Sequence, residues 1–251
     1  MPTFQHDDVE IAYLDQGEGD PIVLVHGFAS NRQANWVQPG WVGTLTRDHR
    51  RVIALDNRGH GQSTKFYDPA RYHTDLMAAD VAALIAHLGL ARVDLMGYSM
   101  GSRISATVTA RHPHLVRSLV LGGVGTNLIE GAGMRSDVAS ALEAPSVHDV
   151  TDPLGKAFRL FAEQTKSDLK ALAACLRGSR GAALRREEVQ AIRAPAMVAT
   201  GTRDDMVGSP HDLAALIPGA RVLDIPNRDH MLAVGDKVYK AGVLEFLAGR
   251  P

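Results

Sequence analysis

Cysteine is almost missing from this chain: one thiol, Cys175, in 251 residues. No internal disulfide can form, so a disulfide-stapled fold is excluded and a reducing, cytoplasmic setting is expected. A charge of one sign is missing too. With 27 basic and 28 acidic residues the formal net charge is -1, far from the basic surplus that a general nucleic-acid binder needs to neutralise phosphates. No apolar run approaches the roughly 20 residues of a membrane span. The first residues, Met1 to Asp8, carry neither the basic start nor the apolar stretch of a signal peptide. There is no H-E-x-x-H string and no Cys/His cluster, so neither a catalytic metal nor another cofactor is expected. Aromatic residues make up only 5%. No internal repeat or low-complexity tract occurs.

What remains is 45% hydrophobic and 22% charged, the balance of an ordinary globular protein. The length suits one domain with room for an insertion. Short apolar runs recur along the chain. Val9 to Asp15 alternates; Ile22–Val25 ends at His26-Gly27, Val52–Leu55 at Asp56, Val93–Met96 at Gly97, Leu119–Leu121 at Gly122-Gly123, Ala196–Ala199 at Thr200-Gly201 and Val222–Ile225 at Pro226. Such runs, closed by glycine or proline, read as strands buried on both faces. Helical patterns lie between them. One, capped by Thr74, carries Met77, Val81, Leu84, Ile85 and Leu88 on a single stripe and stops at Gly89. Others run over Met100–Arg111, His211–Ile217 and Lys237–Leu247. The alternation predicts a mostly parallel sheet covered by helices on both faces. From Thr126 to about Arg193 no strand run appears, which predicts a helical insertion between two strands.

The sharpest chemical signal is Gly97-Tyr98-Ser99-Met100-Gly101. A G-x-S-x-G string arises by chance in about one chain in ten of this length, but here it follows a strand and opens a helix. A tight strand-to-helix turn leaves no space for a Cβ on either side of the serine, and it lifts the hydroxyl clear of the sheet. The Met100 N–H at the helix start would face a developing oxyanion. His26-Gly27-Phe28-Ala29 follows a buried strand and offers a second donor, the Phe28 N–H; His26 itself reads as a packed residue that shapes the loop.

A serine nucleophile needs a base and an acid to orient it. Among the later histidines, His112 and His114 flank Pro113 at the wrong end of a helix, His148 lies in the insertion and His211 starts a helix. His230 follows the last strand and is the expected base. Asp204 and Asp205 both follow the strand before it and both qualify as the acid, with Asp204 preferred. Asp224 and Asp229 read as structural. The arginines 177, 180, 185 and 186 adjoin Glu187 and Glu188 and read as a solvated face rather than an anion site.

Taken together, His26-Gly27-Phe28, Asp56-Asn57-Arg58-Gly59-His60-Gly61-Gln62-Ser63, the Ser99 pentapeptide, Gly201-Thr202-Arg203-Asp204 and His230 resemble the α/β-hydrolase superfamily. The resemblance implies a mostly parallel eight-stranded α/β-hydrolase sheet flanked by helices, with a helical cap inserted after strand 6. The core would span residues 1–125 and 194–251 and the cap 126–193. It puts the acid on Asp204, makes Asp56, Arg58 and His60 scaffold, and leaves Ser102 where many members have a second glycine. The expected catalytic residues are thus Ser99, Asp204 and His230, the expected oxyanion donors the backbone N–H groups of Phe28 and Met100, and the expected substrate contacts Phe28, Val207 and Met231.

The expected activity is hydrolysis of small to medium carboxylic esters, by an enzyme with a small-molecule partner and no nucleic acid or membrane span; an oligomer is compatible with this. The same triad would serve a C–C bond (meta-cleavage product) hydrolase, an enol-lactonase or a perhydrolase, and a ligand receptor on this fold is a further alternative. Only Phe158 and Phe161 among the thirteen aromatics fall in the insertion, so a plain aliphatic roof is expected.

Overall fold

In a computed structural model, residues 2–131, 138–181 and 183–250 are described. Eight strands, β1 (Thr3–His6), β2 (Val9–Gln16), β3 (Asp20–Val25), β4 (Arg50–Leu55), β5 (Val93–Tyr98), β6 (Val116–Gly122), β7 (Ala196–Gly201) and β8 (Arg221–Ile225), form one sheet in the order β1-β2-β4-β3-β5-β6-β7-β8. The β1/β2 and β2/β4 pairings are antiparallel and the rest are parallel. The fold is thus the mostly parallel α/β sheet that the sequence predicts. β1 escapes the reading of apolar runs because only Phe4 of its four residues is buried; pairing with β2 defines it. β8 differs from expectation as well. It is an edge strand, exposed at Arg221 and Asp224 and only half-buried at Val222 and Leu223.

The helices are α1 (Trp41–Arg47), α2 (Thr74–His87), α3 (Met100–Arg111), α4 (Asn127–Glu130), α5 (Val138–Glu143), α6 (Pro153–Gln164), α7 (Leu169–Gly178), α8 (Arg186–Gln190), α9 (Pro210–Leu216), α10 (His230–Ala233) and α11 (Lys237–Ala248). Strand side chains alternate between the two faces, and the core divides accordingly. Val23, Val25, Leu119 and Leu121 pack with α2 and α3 on one face. Ile22, Leu24 and Val120 pack on the other with Trp36, Trp41 and the α11 residues Tyr239 and Val243. Trp41 stands edge-on to Tyr239, their ring centroids 5.0 Å apart.

The α2 stripe is buried at Met77, Val81, Leu84 and Ile85, but its cap is corrected. The His73 Nδ1, not Thr74, accepts the Asp75 N–H, and Thr74 is already the first helical residue. Likewise α9 begins at Pro210 behind a Ser209 cap, one residue before the expected start.

Between β6 and β7 the described residues form helices and turns without a strand. Asp152 caps α6 ahead of Pro153, and Asp168 accepts the Lys170 and Ala171 N–H groups at the start of α7. Phe158, Ala162, Leu172 and Cys175 from these helices join the core cluster of the α2/α3 face. The insertion therefore sits above α3, at the sheet edge where β5 ends. Among the described residues no helix is long and apolar enough to cross a membrane.

Candidate active site

The backbone at Ser99 is strained, with φ 55° and ψ −118°, a region that a residue with a Cβ occupies only when its surroundings force it there. Here they do. A Cβ on Gly97 would lie 2.3 Å from the Gly101 carbonyl oxygen, and one on Gly101 only 1.9 Å from the Val25 carbonyl oxygen. The turn is thus wedged between β3 and its own helix. The Ser99 N–H donates to the Gly122 carbonyl at 2.8 Å, tying the turn to β6. Ser102, where a second glycine is usual, donates its hydroxyl to the same carbonyl at 2.7 Å and is fully buried.

Three side chains from three different strand ends meet at this turn. His230 Nε2 lies 2.9 Å from Ser99 Oγ, and His230 Nδ1 lies 2.7 Å from Asp204 Oδ2. The carboxylate can only accept, so Nδ1 carries the ring proton and Nε2 is the lone-pair nitrogen facing the serine hydroxyl. The Asp204 side chain is shut off from solvent and its second oxygen accepts the Met206 N–H at 3.1 Å. Asp205 is exposed, and the carboxylate that pairs with His230 is that of Asp204. Asp229 caps α10 by accepting the Met231 and Leu232 N–H groups, and Asp224 pairs with His211. His112 and His114 meet edge to face at the far end of α3, their ring centroids 6.3 Å apart.

The Phe28 loop approaches the same point. A Cβ on Gly27 would meet the Ser99 Cβ at 3.3 Å, so the loop that carries Phe28 passes against the serine. Met100 begins α3, and its N–H has no carbonyl one turn back to receive it. His26 shapes the loop: its Nδ1 donates to the Gly27 carbonyl at 2.8 Å and its Nε2 accepts the Asn57 N–H at 2.9 Å. Burial lowers its pKa to about 4. His60 packs 5.2 Å away and donates to the Arg58 carbonyl; burial lowers its pKa to about 3. Arg58 forms a buried two-bond pair with Asp80, and Asp56 accepts the Arg32 and Gln62 N–H groups. These residues brace the loop and do not touch Ser99.

Two side chains with parts in the site carry no signal in the sequence. The Tyr98 hydroxyl donates to the His230 carbonyl at 2.6 Å and holds the base from beneath. Asn35 Oδ1 accepts the Gly27 N–H at 3.0 Å, fixing the Phe28 loop, while its buried Nδ2 has no partner among the described residues.

Two chambers open on Ser99 and share Phe28, Ser99, Phe158 and His230. The Phe28 and Phe158 rings, with centroids 5.8 Å apart, form the partition. The first chamber adds Arg103, Asn127, Leu176, Arg180, Met206 and Val207. The second adds Asn35, Phe161, Met231, Leu232 and Val234. Phe28, Val207 and Met231 therefore all reach a chamber wall. The expected aliphatic roof is corrected: both aromatics of the insertion face the chambers, together with an arginine. Of the four-arginine cluster, Arg177 pairs with Glu143 and Arg185 with Glu188, on the surface; Arg180 instead lines the first chamber. Among the described residues no group of three or more His, Cys, Asp or Glu is placed to hold a metal ion.

Comparison with known proteins gives the relatives of this chain. A family model described as the alpha/beta hydrolase fold matches residues 20–140, which include the His26-Gly27 loop, the Asp56 turn and the Ser99 elbow. A dihydrolipoyllysine-residue acetyltransferase component of an acetoin cleaving system from Pseudomonas putida is 32% identical over 230 residues, which is 85% of this chain and 59% of that protein. A 2-hydroxy-6-oxo-2,4-heptadienoate hydrolase, also from Pseudomonas putida, is 36% identical over 149 residues, 57% of this chain and 52% of that one. The chain thus spans little more than half the length of these two relatives. The crystal structure of an enol-lactonase from Burkholderia xenovorans LB400 superposes with a TM-score of 0.80 at 23% identity, covering 98% of this chain and 100% of the other. By its sheet and its match to the family, the chain belongs to the α/β-hydrolase superfamily.

Proposed function

We propose that the protein is a serine hydrolase that cleaves small to medium carboxylic esters through an acyl-enzyme. The observation that carries this reading is the continuous line from Asp204 through His230 to Ser99, at 2.7 and 2.9 Å, on a strained turn. His230 Nε2 takes the Ser99 proton as Oγ attacks the ester carbonyl carbon. The oxyanion accepts the Phe28 and Met100 N–H groups, each worth about 10²–10³ in rate. Asp204 keeps Nδ1 protonated and stabilises the charged ring. His230 then gives its proton to the leaving alkoxide. A water, deprotonated by the same nitrogen, attacks the acyl carbon and frees the carboxylic acid and Ser99. In this reading residues 126–193 are the cap over the two chambers, which receive the acyl and alcohol parts.

A second reading has its own support: the relative named as a 2-hydroxy-6-oxo-2,4-heptadienoate hydrolase favours a carbon–carbon bond as the one cleaved, by the same three residues. A fluorophosphonate probe should label the wild type and not Ser99→Ala; equal labelling of both would remove Ser99 as nucleophile. Turnover of 4-nitrophenyl esters of rising chain length, beside a dienoic C–C substrate, separates the two readings.

A further inference from the structure

Arg103 lies four residues after Ser99, on α3, and faces the first chamber. It is 4% exposed, yet no carboxylate among the described residues pairs with it. Its partners among the described residues are backbone carbonyls: Asn127 at 2.8 Å, Ser179 at 3.4 Å and Gly181. These three bonds leave two of its five N–H donors for another acceptor. A buried cation satisfied only by dipoles is costly, and burial lowers its pKa to about 10, still charged at neutral pH. Arg180, on the same wall, has neither a hydrogen bond nor an ion pair among the described residues. Asn127 spends its Oδ1 on the Gly125 N–H, which leaves its amide hydrogens free. Among the described residues no Asp or Glu lines this chamber, and neither Arg nor Lys lines the second.

Resting on the serine-hydrolase reading, we propose that the substrate carries a carboxylate, seated in the first chamber against Arg103, Arg180 and Asn127, while its uncharged part occupies the second. The anion supplies the negative partner that no described residue gives Arg103. Next to Arg103, which is 4% exposed, a charge-assisted hydrogen bond is stronger than the same bond in water.

The test compares 4-nitrophenyl hydrogen adipate with its neutral methyl ester at pH 8. The wild type should favour the charged ester by about 10–100-fold in kcat/KM, the size of one charged hydrogen bond. Arg180→Ala, at an exposed position, should cut that preference several-fold. Arg103 also braces the α7–α8 connection, so Arg103→Lys, which keeps the charge, is paired with Arg103→Met; lysine should retain part of the preference and methionine none. Binding of the two esters to Ser99→Ala, read by calorimetry, reports the anion site without turnover and should show the same preference. Equal kcat/KM and equal binding for the two esters would overturn the proposal and leave the serine-hydrolase reading standing. Preferential binding of the charged ester to Ser99→Ala, without hydrolysis or labelling of the wild type, would support the anion site and remove the hydrolase reading.

Discussion

The two halves of the candidate site are built on different principles. At the carboxyl edge of the sheet the backbone is closely packed, strained and tied by hydrogen bonds. Gly97 and Gly101 admit no Cβ, Ser99 is held in a forbidden backbone region, and Tyr98 and Asn35 pin the base and the Phe28 loop by single hydrogen bonds. Above it, α6 and α7 are ordinary amphipathic helices with aspartate caps, meeting the layer below through Phe158 against Phe28 and Cys175 against Met100. Strain and close approach are concentrated where bonds would be made and broken; simple side-chain packing suffices where a substrate would be recognised. Such a division lets the upper layer change its chamber walls without disturbing the chemistry below.

That contrast can be tested from its strongest side. Asp204→Asn keeps the shape of the acid but removes the charge that fixes the His230 tautomer. Its kcat on a 4-nitrophenyl ester should fall about 10³–10⁴-fold, with little change in melting temperature. A loss below tenfold would mean that the lower layer is less committed than its geometry says.

Acid should then undo the lower layer first. His26 and His60 hold folded pKa values of about 4 and about 3, below the unfolded value of about 6.5. Between these limits the unfolded chain binds protons that the folded chain refuses, so stability is full above about pH 6.5 and declines as pH falls towards 3. The slope reaches about 1.4 kcal/mol per pH unit for each histidine. Urea midpoints measured from pH 7 to pH 4 should drop steadily, and His60→Gln should flatten the curve; a midpoint independent of pH would contradict the buried neutral pair.

The smallest effect belongs to the roof. Phe158→Ala removes the partition between the chambers and should cost about 1–3 kcal/mol in stability, below the full cost of a core phenylalanine because the ring borders open space. It should broaden the ester chain-length profile with kcat within tenfold of wild type. A loss as large as that of Asp204→Asn would erase the distinction between the two layers.

What the sequence discloses follows the same line. Ser99, Asp204 and His230 are readable because each ends a strand run, and strand ends of a parallel sheet share one edge. The sheet itself is legible for the same reason, except β1, which has too few buried residues to form a pattern. Tyr98, Asn35 and Arg103 are unreadable because their parts depend on partners distant in the chain or on loop geometry: Tyr98 reaches His230, and Arg103 reaches Ser179 and Gly181. The roof misleads for a simpler reason. Composition counts aromatics but does not say that the only two in the insertion both turn towards the serine.

The lone thiol takes on a use from where it lies. Cys175 Sγ sits 3.9 Å from Met100 Sδ, fully enclosed, and burial raises its pKa to about 12. While α7 stays seated, a disulfide reagent meets neither an accessible sulfur nor a thiolate. Lifting the wall that carries Leu176 and Ser179 off the start of α3 exposes the sulfur, and so does global unfolding. The rate at which one sulfur becomes reactive, less the separately measured rate of global unfolding, therefore counts local openings around α7, in an untagged protein and without any substrate.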